Sequence, residues 1–91
     1  MDIEFDPDKD AINREKHGVP LRFGEHVFED PDHLVLATIR AEDGEERQKT
    51  LGLVGGRLWT AIVVRRGEST RFIPVRKSND AEIRAYHRHP G

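Results

Sequence analysis

Residues 45–77 read EERQKTLGLVGGRLWTAIVVRRGESTRFIPVRK, and this stretch decides the fold. Residues 58–64 are its most apolar part and are rich in the β-branched and aromatic side chains that suit a pleated, half-buried surface. Gly55-Gly56 before that run is a two-residue hairpin turn, and Gly67-Glu68 after it turns the chain again. Strands are therefore expected over residues 45–54, 57–66 and 69–77. Upstream, Leu34, Val35, Leu36 and Ile39 form a fourth β-rich run, which breaks at Ala41-Glu42-Asp43-Gly44, where Asp-Gly is a hairpin turn. Four strands joined by short turns make an antiparallel meander.

The flanks read as helices. Residues 3–5 suit a short strand. Asp6-Pro7-Asp8 then supplies an N-cap carboxylate, a proline at the first helical position and acids facing the positive end of the dipole. This helix should run to about Lys16, with Gly18 as its left-handed stop. Leu21, Gly24, Val27 and Phe28 have helical spacing and predict a second short helix, ended by Glu29-Asp30-Pro31-Asp32. Asn79-x-x-Glu82 has the form of a capping box and opens a last helix to about His87. The order β-α-α-β-β-β-β-α predicts a single α+β domain over residues 1–91, a curved antiparallel sheet with helices on one side.

Composition narrows the chemistry. The chain has no cysteine, which excludes disulfides, thiolate metal sites and a Cys nucleophile. Its five histidines show no zinc spacing, so no metal or other cofactor is expected. No apolar run approaches the roughly 18 residues of a membrane span, and the acidic start Met1-Asp2-Ile3-Glu4 is unlike a basic signal peptide; the expected location is cytoplasmic, with no membrane contact. The net charge of -2 conceals an acidic first half and a basic second half: residues 1–45 carry -8 and residues 46–91 carry +6. Such asymmetry points to nucleic acid or to an oppositely charged partner.

The basic half places its cations in a pattern. Arg47 and Lys49 alternate on one strand, Arg65 and Arg66 end the next, Arg71 lies near the start of the last, and Arg76-Lys77 leads into the final helix. Arginine forks pair bidentately with phosphate oxygens and stabilise extra charge in a transition state. Arg71 and Arg76 have opposite strand parity, but Pro74 between them cannot donate to a ladder and predicts a bulge, which would return both to one face. Glu46 is either a general base beside these cations or a plain ion-pair partner. His17 ends the first helix, and Tyr86 is a core-edge aromatic whose hydroxyl could reach the basic face. No G-x-S-x-G, P-loop or G-x-G-x-x-G is present, so catalysis would have to use the substrate's own nucleophile, which RNA provides in its 2′-hydroxyl.

A family resemblance spans nearly the whole chain. Phe5-Asp6-Pro7, Lys16-His17-Gly18-Val19, Val27-Phe28-Glu29-Asp30-Pro31, Gly44-Glu45-Glu46-Arg47, Gly52, Gly56-Arg57-Leu58, Arg71-Phe72-Ile73, Val75-Arg76-Lys77, Glu82 and Tyr86 occur in the order typical of BrnT toxins, which the chain resembles. Gln48 and Pro74 depart from that pattern. The resemblance implies a RelE-like fold and a metal-independent endoribonuclease toxin of a type II toxin–antitoxin system that arrests translation. It also implies a BrnA-like antitoxin that neutralises the toxin in a hetero-oligomer and carries the contact with operator DNA. By position it points to His17, Glu46, Arg47, Arg71, Arg76 and Tyr86 as catalytic candidates; on our reading Arg47, Arg71 and Arg76 grip the scissile phosphate, and Lys49, Arg65, Arg66 and Lys77 hold flanking RNA phosphates. Glu46 or His17 is then the base and Tyr86 or Lys77 the proton donor. The alternatives are a module that binds RNA or the ribosome without cutting, and an inactive partner of a transcriptional regulator.

Overall fold

The structure is a computed structural model that describes residues 2–38, 46–66 and 68–88 of the chain. Along it run strand β1 (Asp2–Glu4), helix α1 (Pro7–His17), a 3-10 turn (Leu21–Phe23), helix α2 (Gly24–Glu29), strands β2 (Leu34–Thr38), β3 (Glu46–Val54), β4 (Arg57–Arg66) and β5 (Ser69–Lys77), and helix α3 (Asp80–Arg88). The expected order of elements is the observed one. Asp6 caps α1 by accepting from the Asp8 N–H at 2.9 Å, and Gly18 ends it with φ 76°. Gly55 and Gly56 both have positive φ, as a type I′ hairpin between β3 and β4 requires. The expected Asp43-Gly44 turn lies outside the described residues.

The five strands form one sheet in the order β1-β5-β4-β3-β2. The segment β2 to β5 is the predicted antiparallel meander. β1 adds a parallel edge to β5, pairing Ile3 with Thr70, so the sheet is mixed rather than wholly antiparallel. β1 spans only Ser69 to Arg71 of β5. Farther along that edge the side-chain amide of Asn13, on α1, replaces a strand: its Oδ1 accepts from the Val75 N–H at 3.0 Å and its Nδ2 donates to the Val75 and Val19 carbonyls at 2.9 Å each. A buried amide thereby satisfies the backbone groups that a missing neighbour would leave unpaired.

One face of the sheet makes the core. Trp59, Ala61 and Val63 of β4 and Phe72 and Val75 of β5 pack with Leu21 and Val27 in a single cluster. The Phe23 and Trp59 rings approach to 4.7 Å. Val27 sits so close to β3 that a Cβ on Gly52 would collide with its carbonyl oxygen; glycine permits this approach.

The helices are less one-sided than expected. The 3-10 turn and α2 cover the core face, α1 lies along the β5 edge, and α3 reaches the opposite face, where Glu82 meets Thr60, Lys49 and Arg76. Among the described residues no helix is long and apolar enough to cross a membrane.

Candidate functional site

Phe72 pairs with Val63 and Val75 with Ala61, so the two β5 residues between, Ile73 and Pro74, stand against the single residue Ile62. This is a β-bulge, placed where Pro74 has no N–H to offer a ladder. Its effect is on side-chain parity. Arg71 pairs with Val64 and Arg76 with Thr60, two β4 residues of the same parity, so both arginines lie on the face opposite the core. On β3, Arg47 pairs with Val64 and Lys49 with Ile62, which places them on that face as well. Arg47, Lys49, Arg71 and Arg76 thus share one surface across three adjacent strands.

The other sequence candidates distribute differently. Arg65 pairs with Thr70 and its Nε donates to Gln48 Oε1 at 3.2 Å, on the core-side parity, away from the four cations. Lys77 pairs with Trp59 and so leaves the sheet toward the other side from Arg76. Glu46 and Arg66 pair with Arg65 and Ser69 along the backbone, but their side chains lie outside the described residues. The Tyr86 hydroxyl is committed to Asp30, to which it donates at 2.6 Å.

At the β5 edge, Lys16 and His17 from the last turn of α1 meet Arg76 and Lys77 around a cleft of about 310 Å³. A second cleft of about 160 Å³ shares Lys16 and His17 and runs back along α1 to Lys9, Ile12, Asn13, Ile73 and Pro74. Among the described residues the first cleft is lined by two lysines, an arginine and a histidine and by no carboxylate, a lining suited to an anion. Lys16 entered the sequence reading as the end of the first helix and as part of a motif, not as a site residue. Its contribution follows from where α1 stops, at His17 immediately before Gly18, beside the end of β5.

Sequence reasoning also missed the principal carboxylate. Glu82 is 4% exposed and gathers four kinds of donor. Its Oε1 accepts from Arg76 Nη1 at 2.7 Å, Thr60 Oγ1 at 2.9 Å and the Asn79 N–H at 2.8 Å; its Oε2 accepts from Arg76 Nη2 at 2.8 Å and pairs with Lys49 Nζ at 2.9 Å. Asn79 Oδ1 accepts from the Glu82 N–H at 2.8 Å, which completes the capping box read in the sequence. Burial alone would raise the Glu82 pKa, yet the hydrogen bonds from Arg76, Lys49, Asn79 and Thr60 outweigh it and hold the group down at about 2. Arg76 is raised further above its ordinary range, chiefly by the same hydrogen bonds from its guanidinium to Glu82. The capping box was the available signal for Glu82; its reach to Arg76 and Lys49 depends on which face α3 occupies.

Arg71 is less engaged. Its Nε stands 3.9 Å from Glu4 Oε2 and, though buried, has no hydrogen-bond partner among the described residues. Among the described residues no group of three or more His, Asp or Glu side chains is placed to hold a metal ion.

Comparison with known proteins adds one match. The family model described as ribonuclease toxin, BrnT, of type II toxin-antitoxin system matches residues 5–82. No curated protein matches the chain.

Proposed function

The chain belongs to the BrnT family of ribonuclease toxins of type II toxin–antitoxin systems, and from that premise we propose that it is a metal-independent endoribonuclease using the 2′-hydroxyl of its RNA substrate. The observation that carries this reading is the convergence of Arg47, Lys49, Arg71 and Arg76 on one face, with Arg76 also lining the Lys16–His17–Lys77 cleft. RNA phosphates are the ligand such a surface suits, and the scissile one belongs beside Arg76.

The chemistry follows from the groups at hand. The 2′-oxygen attacks the adjacent phosphorus as a base takes its proton; the bond to the 5′-oxygen breaks, and an acid protonates that leaving oxygen. The products are a 2′,3′-cyclic phosphate and a 5′-hydroxyl. His17, which shares the cleft with Arg76, is the proposed base, with Glu46 the other candidate; Lys77 is the proposed acid. Arg76 and Arg71 offset the charge that develops on the phosphoryl oxygens. Lys16, Arg47 and Lys49 hold the neighbouring phosphates.

Membership in a type II system implies an antitoxin protein as partner. We take that partner to be BrnA-like, to neutralise the toxin by forming a hetero-oligomer, and to carry the operator-DNA contact itself.

Expression of the chain without its antitoxin should arrest growth, and primer extension on cellular RNA should show defined new ends. Removing an electrostatic stabiliser typically costs about 10²- to 10³-fold in rate, so Arg76→Ala should relieve the arrest. Undiminished toxicity of that variant would sink the assignment. The commitment of both Arg76 Nη atoms to Glu82 favours one rival, a module that occupies RNA without cutting it. Growth arrest with no new RNA ends would select that rival.

A further inference from the structure

Glu82 binds more donors than a helix cap requires, and the way it binds Arg76 leaves a particular part of the guanidinium unused. An arginine carries five N–H donors in a rigid plane. Glu82 takes the end-on pair, one N–H from Nη1 and one from Nη2, at 2.7 and 2.8 Å. The second N–H of Nη1 turns back to the Lys77 carbonyl at 3.3 Å. What remains is the side-on pair, Nε–H and the outer N–H of Nη2, and neither has a protein partner among the described residues. Two parallel donors of this kind are the other geometry in which a guanidinium grips an oxyanion.

We propose that Glu82 is a positioning residue that holds the Arg76 guanidinium with its side-on edge presented to the scissile phosphate. Glu82 is too buried to meet RNA itself, so its influence passes through Arg76. The carboxylate is in turn fixed to backbone through the Asn79 capping box, and to the sheet through Thr60 and Lys49. Arg76 therefore takes its direction from α3 and β4 rather than from its own flexible stem, which is how supporting groups hold a site to the tolerance that chemistry needs. The inference rests on the reading of Arg76 as the group that grips the reacting phosphate.

The test compares Arg76→Ala, Glu82→Gln, Glu82→Asp and the double variant Arg76→Ala/Glu82→Gln on a fluorescent single-stranded RNA of mixed sequence, with rates expressed per folded molecule by circular dichroism. Glu82→Gln keeps the shape and removes the charge. It should lower kcat on the order of 10- to 100-fold, as a misdirected group does, while KM stays level or falls because the surface has gained positive charge. Glu82→Asp retains the charge and should recover part of that loss. The double variant should be no slower than Arg76→Ala alone. Parental kcat in Glu82→Gln, or losses that multiply in the double variant, would overturn the positioning role and leave the ribonuclease reading intact, provided that Arg76→Ala is impaired. An unimpaired Arg76→Ala would overturn both. Should Glu82→Gln not fold, Glu82→Asp carries the comparison: its kcat should fall below the parent's only when Arg76 is present, and a parental kcat overturns the role.

Discussion

The Tyr86 hydroxyl donates to Asp30 Oδ2 at 2.6 Å, and the same oxygen accepts the Leu53 N–H at 2.8 Å. One carboxylate thus ties the far end of α3 to the end of α2 and to β3. The hydrogen bond to Asp30, reinforced by burial, pushes the Tyr86 hydroxyl up to about 12 from its ordinary 10. A raised folded value means that the stabilisation is fully present below pH 10 and is lost as pH rises from 10 to 12. Tyr86→Phe should cost about 1 kcal/mol at neutral pH and remove that alkaline loss. Urea unfolding across this pH range checks it, and equal alkaline slopes for the two proteins would contradict the assignment.

Glu82 predicts the opposite behaviour in acid. Its value lies at about 2 against an ordinary 4.5, so its contribution is complete above pH 4.5 and disappears as pH falls toward 2. The span corresponds to at most about 3 kcal/mol. The unfolding free energy of the parent should fall more steeply in this window than that of Glu82→Gln. Parallel acid titrations would show that the network adds nothing to stability.

Asn13 predicts a purely structural loss. Asn13→Ala leaves the Val75 N–H and two carbonyls without their partner. Each buried group left unsatisfied costs about 1–3 kcal/mol, so the melting temperature should drop by well over the few degrees of an average surface change. A melt unchanged from the parent's would mean that water or a shifted backbone replaces the amide at no cost.

Gly52→Ala forces its new methyl against the Val27 carbonyl oxygen. Overpacking of this kind costs about 1–3 kcal/mol. Because the methyl meets backbone rather than a mobile side chain, the loss should sit toward the upper end. Denaturant midpoints of the two proteins provide the measure, and a loss below about 0.5 kcal/mol would mean that α2 can retreat from β3 freely.

The meander was legible because its turns are local: Gly55-Gly56 and the β-branched run after it fix β4 with neighbours only a few residues away. Pro74 announced its bulge by chemistry alone, since a residue without an N–H cannot keep a ladder regular, and the convergence of Arg71 and Arg76 followed. The parallel β1–β5 edge was not legible, because residues 2–4 pair with residues 69–71, far away in the chain, and no local turn signals that pairing. For the same reason Asn13 looked like an ordinary helix residue; its partner is 62 positions away. The face taken by α3 is likewise a tertiary choice, driven by a carboxylate that needs four sets of donors. That choice turned Glu82 from a helix cap into a neighbour of the proposed site, and it left Tyr86 with Asp30.

The bulge at Ile73–Pro74 also sets which kinds of genetic change the protein tolerates. Phe72 and Val75 are three positions apart and both face the core, whereas a regular strand would send one of them into water. Deleting a single codon at 73 or 74 would remove the extra residue and leave Phe72 and Val75 two positions apart, so a regular strand would still face both of them to the core. A substitution that let β5 pair regularly at its present length would instead turn Val75 outward and Arg76 toward the core face, a charge among apolar side chains. The alternation of β5 beyond residue 74 thus survives if the bulge is kept, or if it is lost together with one residue, and it inverts if the bulge alone is lost.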